Sequence, residues 1–452
     1  MVNIFLGELK RVLKDRPTFL LGIALIGFSV TAFLQMASIP EQSMQETIDQ
    51  TVWYSENTLD QLNAELKLAL QLEPSSVPAK EIAVAVGEQS LQIRQNLAQK
   101  YQGLQKKEST EKEFSEAAWQ ADIAVMINEN IFYGRPELND ADPISYWNEK
   151  LDWLALPSQD YNTYASISEN WQGFDAEIKH DYFVGRTKLI EKMILEYEHD
   201  IPYSLVRKGP VTFAKTYFSS GCITGYLLPI VIIAYFGMCA LSLIRNRALF
   251  LSRTLPVSSF SYLLIQVVAE FVAFMILFGI TFGIGFFVSG FCFGWTDLFC
   301  FEFISSGLWS SYGVEAGQFP SLTQMESYFT PVSARAPVPS GDLLLIQAWT
   351  LLLVYLALII LLISSGAVVI NSISFLLPEK VALGLLGIII ALVMISRSSF
   401  SPVNLFSVAW PSVVDMAAGG VGVGWGVWIG CNLMLSALML MLDKIFLHRK
   451  DV

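Results

Sequence analysis

The chain has 452 residues, a formal net charge of −12 and a hydrophobic fraction of 53% against only 15% charged residues, for a mean hydropathy of +0.47. That composition excludes an ordinary soluble domain and a disordered chain, and no nucleic-acid partner is expected. Apolar runs of bilayer-crossing length, about 20 residues, recur along it, which predicts an all-α polytopic membrane protein rather than a barrel of alternating strands.

The chain opens on "MVNIFLGELKRVLKDRPTFLLGIAL". Residues 1–16 read as an amphipathic helix: Ile4, Phe5, Leu9, Val12 and Leu13 form an apolar face, with Lys10, Arg11 and Lys14 largely away from it. Such a helix lies along the inner interface until Pro17 turns the chain into a first span over 17–37. The first run is too long for a cleavable signal and no small-residue cleavage site follows it.

Residues 38–220 predict a helical domain outside the membrane. Ile48, Val52, Leu59, Leu62, Leu66 and Ala69 fall on one stripe, and Ile82, Val86, Ile93, Leu97, Tyr101 and Leu104 on a second. The prolines of "LEPSSVPAKE" between them predict a turn, so the two stripes pack as a projecting helical hairpin. Shorter helices are expected near 114–128 and 187–197, with an aromatic, turn-rich cap between them.

Residues 221–452 carry five further candidate spans at 223–244, 260–288, 343–370, 381–395 and 421–442, with outer loops at 289–342 and 396–420. Charge sets their orientation. The 38–220 segment holds about 29 acids against 16 bases, essentially the whole net charge. Short segments are basic instead: Lys10, Arg11, Lys14 and Arg16 before the first span, Arg245, Arg247 and Arg253 between the second and third, Lys444, Arg449 and Lys450 after the last. Basic flanks stay cytoplasmic. Six spans, both termini cytoplasmic and 38–220 extracytoplasmic are the arrangement that follows.

Chemistry is sparse. No GxxxxGK[ST] stretch exists, so this chain binds no ATP through a P-loop. The glycines of "AAGGVGVGWGVWIG" lie in an apolar run and suit close helix packing. His180, His199 and His448 predict no metal site, and no set of nucleophile, base and orienting group emerges, so the chain is not expected to be an enzyme or to hold a cofactor. Cys292 and Cys300 are expected as free thiols. Within the spans, Gln266 and Glu270 stand i, i+4 on one helix face, and counting from Phe260 puts Glu270 about 15 Å along the helix, at mid-membrane depth. Two readings stay open for them: part of a translocation path or proton-sensitive contact, or a neutral, hydrogen-bonded Glu holding two spans together. Asn371 reads as structural.

The opening "ELKRVLKDR" and the loop "RNRALFLSRTLPVSSFSYLLIQ" resemble the permease subunits of ABC type-2 transporters, in the branch with a large extracytoplasmic domain between the first two spans. The resemblance implies a bacterial plasma-membrane exporter. It also implies a cytoplasmic coupling helix at 245–256, in which Leu249 and Phe250 enter an apolar cleft of an ATPase subunit while Arg247 and Arg253 pair with acids at its rim. ATP and Mg would be bound by that partner, an ABC ATPase dimer, and a second permease copy or homologue would complete the path among membrane lipids. The chain has Arg245, Asn246 and Arg247 where the family commonly carries an acid and "GT". The other class of function is a membrane scaffold or receptor-like protein whose helical stalk binds a peptide, cell-wall or secretion partner without an ATPase.

Overall fold

The structure, a computed structural model, describes residues 2–39, 43–72, 77–133, 190–204, 207–219, 223–245, 258–305, 343–396 and 425–451. In chain order these form α1 (Val2–Lys14), α2 (Arg16–Ala37), α3 (Met44–Leu72), α4 (Val77–Gln105), α5 (Glu111–Tyr133), α6 (over 190–198), α7 (Pro210–Phe218), α8 (Ile223–Arg245), α9 (Ser259–Phe293), β1 (Phe301–Ser305), β2 (Leu343–Gln347), α10 (Ala348–Leu376), α11 (Glu379–Ser396) and α12 (Trp425–Asp451). Five of them are long and apolar enough to cross a membrane: α2, α9, α10 and the main parts of α8 and α12. The chain therefore has the build of a helical, multi-pass membrane protein.

Two boundaries depart from expectation. The run expected to cross from residue 343 begins as a strand, because Leu343–Gln347 pairs antiparallel with Phe301–Ser305, Phe301 opposite Gln347. An all-apolar run fits a buried strand as well as a helix, so only the partner strand tells them apart. The last helix runs on past 442 to Asp451. The aromatic cap expected between the shorter helices falls largely in 134–189, and of the outer loops expected at 289–342 and 396–420 residues 306–342 and 397–420 lie, like that cap, outside the described residues.

Local chemistry sets the helix ends. Pro17 stands in the first turn of α2, where its missing N–H costs nothing. Ser258 caps α9, its Oγ accepting from the Ser261 N–H at 3.2 Å. Gly294, at φ +94°, ends that helix in a conformation that side-chain-bearing residues avoid.

Contacts fix the helix directions. Gly22 lies near Leu277, Ser29 Oγ donates to the Thr281 carbonyl at 2.9 Å, and Phe33 meets Phe293, so α2 and α9 run parallel. Gly366 faces Ile232 and Gly237 faces Ile370, which makes α8 and α10 parallel. Ser365 Oγ bonds Asn432 Oδ1 at 3.0 Å and Ser372 bonds Asp443 further along both helices, so α10 and α12 are parallel too. The α9–α10 pair is antiparallel: Glu270 meets Asn371 at one end, while Phe278 and Tyr355 share Phe218 nearer the other. The chain's beginning, α1, and the far end of α12 consequently lie at the same end of the bundle.

At the other end stands the helical domain. The first stripe is inward-facing in α3, with Ile48 and Ala69 buried. It packs on α4, where Gly87 permits close approach: a Cβ there would stand 3.2 Å from Leu62 and 3.3 Å from Leu59. Leu97 and Phe114 join Ile48 in the core between α3, α4 and α5. Ile82's side chain lies outside the described set. Buried Arg94, which the stripe did not announce, is paired with Asp122 of α5, whose other oxygen accepts from Tyr203 OH at 2.5 Å.

The bundle core is aromatic. Short, almost wholly buried α7 drives Phe213, Tyr217 and Phe218 among Phe28, Phe278, Phe282 and Tyr355. Lipid offers no hydrophobic drive for such packing, so shape and small residues decide it.

Candidate functional site

The bundle end that holds α1 carries a continuous polar network. Gln266 and Glu270 do share a face of α9, and both are buried. Gln266 Nε2 donates to Glu270 Oε1 at 2.5 Å, and Asn371 Nδ2 of α10 donates to Glu270 Oε2 at 2.9 Å. On the other side Arg11 Nη2 donates to Gln266 Oε1 at 2.8 Å. Arg11 also pairs with Glu8 (2.7 Å) and Asp15 (3.0 Å), and Tyr262 OH donates to Glu8 Oε1 at 3.0 Å. Burial pushes the Asp15 carboxyl above its ordinary range, with Arg11 opposing the shift.

This arrangement corrects the reading of α1. Phe5, Leu9 and Val12 do form its packed face, against Ala269 and Ala273 of α9. Arg11 turns inward to Gln266 instead of outward, and Leu13 is exposed. The guanidinium can reach in because its hydrogen-bonding end finds three oxygen partners while its stem lies along the helix contact.

Contacts with α2 and α8 also place Glu270 along the bundle. Thr18 Oγ1, in the first turn of α2, lies 3.4 Å from Tyr235 OH, and that hydroxyl donates to the Glu270 carbonyl at 3.4 Å. Glu270 thus stands level with the start of α2. α9 has 35 residues, of which about three turns extend past the beginning of α2. From Glu270 to Phe293 it still rises about 35 Å, enough for a crossing by itself. Through Glu270 these hydrogen bonds join α9 to α10. Asn371 is the carboxyl group's second donor.

α10 is polar on a second side. Ser365, Asn432 and Ser436 form a hydrogen-bonded group, and one residue on from Asn371 Ser372 Oγ and Asp443 Oδ2 lie 2.5 Å apart. Asp443 is 1% exposed. Sequence reasoning passed over it, because it falls one residue beyond the apolar run and beside Lys444 it reads as part of a charged tail.

The opposite end is tied by buried ions. Glu196 of α6 receives both arms of Arg207, at 2.8 and 3.0 Å, and accepts from the Phe301 N–H of β1 at 3.2 Å. Lys215 of α7 pairs with Glu302 of β1 at 2.7 Å. Asp297 accepts from the N–H groups of Val211 and Thr212, an anion at the N-terminus of α7. Burial pushes the nearby Cys300 thiol up to about 12, Arg207 drawing it back only in part; Cys292 and Cys300 are both free thiols. These contacts join the helical domain to the bundle.

Arg247, Leu249, Phe250 and Arg253 lie outside the described residues. The helices on either side of them are described: α8 ends at Arg245 and α9 begins at Ser259, at the same end of the bundle as α1. The described chain is thus a helical, multi-pass membrane protein with a polar network at the end where its basic loop leaves and returns. Comparison with protein-family profiles, curated proteins and solved structures finds no match to this chain.

Proposed function

We propose that this chain is the permease subunit of an ATP-driven ABC exporter, coupled through residues 245–256 to a separate ATPase subunit. The observation that carries the reading is the network around Gln266. The helix that leaves the basic loop, α9, is bonded within its first three turns to α1 through Glu8 and Arg11 and to α10 through Glu270 and Asn371. A displacement applied to the loop would therefore move an interfacial helix and two spans together, which is what a chain without ATP chemistry needs in order to receive work.

Helix direction supports six crossings. α10 and α12 run parallel, so the chain between them has to return once, and α11 is an 18-residue apolar helix suited to it. α1, the far end of α12 and the helix ends that flank residues 246–257 share one end of the bundle, which supports reading the three basic clusters as cytoplasmic and the helical domain as outside. The arginines of the loop would meet acids on an ATPase dimer that binds ATP and Mg, and a second permease would complete the path.

The test is affinity purification of the tagged full chain from native membranes. Co-purification of a P-loop ATPase, lost on charge reversal at Arg247→Glu and Arg253→Glu, is the expected result. Absence of any such ATPase from the wild-type preparation would favour the scaffold reading.

A further inference from the structure

We propose that the corner between α1 and α2 is a binding site for an anionic phospholipid, its phosphate group held by Lys10, Lys14 and Arg16 and its acyl chain laid along the exposed stripe that rises from Arg16 on α2. The inference needs the chain only to be a multi-pass membrane protein, so it holds equally for a transporter and for a scaffold.

α1 has more apolar surface than its seat on α9 uses. Phe5, Leu9 and Val12 face Ala269 and Ala273. Val2, Leu6 and Leu13, at steps of four and seven residues, form a second stripe beside that face and are 70%, 54% and 41% exposed. Continuing round the helix come Lys10 and Lys14, one turn apart and also exposed. A helix docked on one side, apolar on the next and cationic beyond that suits the boundary between acyl chains and head groups. Its lysines can lay their stems along the apolar stripe and carry their ammonium groups to the level of the phosphates.

α2 supplies the acyl path. Thr18 Oγ1 donates to the Val12 carbonyl at 2.6 Å, which fastens the first turn of α2 to the last turn of α1. Arg16, the first residue of α2, is exposed and heads a stripe that continues through Leu20, Ile23, Val30 and Leu34, each more than half exposed. The first ten residues of that stripe rise about 15 Å, half the thickness of a hydrocarbon core. One acyl chain of one leaflet therefore fits it from Arg16 upward.

The charges at the corner are sorted. Arg11 turns inward to Gln266 and holds Glu8 and Asp15 in ion pairs of 2.7 and 3.0 Å. Lys10, Lys14 and Arg16 are left facing outward where the acyl path meets the interface. Ammonium and guanidinium groups bind phosphate oxygens through charge-assisted hydrogen bonds. A zwitterionic head group brings its own cation to that place, whereas a head group of net negative charge does not, so the site selects the anionic lipid. The lipid is favoured over a second copy of this chain because it carries its phosphate and its acyl chain at the relative heights of these bases and this stripe.

A photoreactive amino acid in place of Ile23 tests this in the full chain, in bilayers where phosphatidylglycerol is the minor lipid and phosphatidylcholine the major one. Mass spectrometry of the adducts is expected to find phosphatidylglycerol enriched about fivefold or more over its share of the bilayer. The enrichment should disappear when Lys10→Gln, Lys14→Gln and Arg16→Gln are combined. It should disappear also with all three bases present in salt of about 1 M, where charge is screened within about 3 Å, so the outcome does not depend on the variant inserting normally. Adducts in the bilayer's own proportions at low salt would overturn the proposal, as would an enrichment that survives either treatment. Adducts chiefly with another copy of this chain would overturn it too, and would assign the stripe to a dimer.

Discussion

The Glu270 carboxyl group is held by two donors, Gln266 of its own helix and Asn371 of α10, and its removal should be felt at both. Glu270→Ala strands the buried N–H groups of Gln266 and Asn371, at a cost of about 1–3 kcal/mol for each unsatisfied donor. Glu270→Gln keeps the volume and one acceptor and should cost clearly less. Thermal unfolding of the purified variants checks the order; an alanine variant as stable as the wild type would mean that the network contributes nothing. At this scale the sequence was legible in part. A lone carboxylate in an apolar run announced itself, and its i, i+4 neighbour Gln266 with it. Arg11 did not, since it lies 255 positions from the Gln266 it bonds, and a basic residue near a span is explained well enough by topology. Asp443 was hidden by its neighbours in the chain, and the buried pairs of Glu196 with Arg207 and Glu302 with Lys215 by sequence distance.

Helices were the most legible elements, because long apolar runs and seven-residue stripes leave few alternatives. The exception, Leu343–Gln347, shows where hydropathy stops being informative: the run is equally apolar as strand or helix, and the choice was made by β1, some forty residues earlier in the chain. How helices approach one another was also unreadable, since most glycines in the spans look alike. The structure separates them. A Cβ at Gly366 would stand 2.8 Å from Ile232 Cγ2, whereas at Gly279 nothing lies within 4 Å. Gly366→Leu should therefore push α8 and α10 apart and destabilise by about 1–3 kcal/mol, with Gly279→Leu close to neutral. Unfolding of the two variants side by side measures this, and equal effects would contradict the assigned α8–α10 contact.

For the whole molecule, charge asymmetry and helix direction lead independently to the same arrangement. The basic clusters predict that both termini and the loop after the second span share a side, and the parallel pairs α2 with α9, α8 with α10 and α10 with α12 bring those segments to one end of the bundle. The helical domain is fastened at the other end through buried ion pairs between α6, the segment before α7, α7 and β1. A push at the loop would thus travel from α9 into α1 and α10, and the bundle's far end would carry the helical domain with it. What hydropathy and charge could not supply is the set of contacts that ties α9 to α1 and to α10. The central claim is that the basic loop between α8 and α9 meets an ATPase, and a photoreactive amino acid placed at Phe250 tests it most directly. On illumination of intact membranes, the account predicts a covalent adduct with a P-loop ATPase subunit; adducts with lipid or with other copies of this chain, and none with an ATPase, would contradict it.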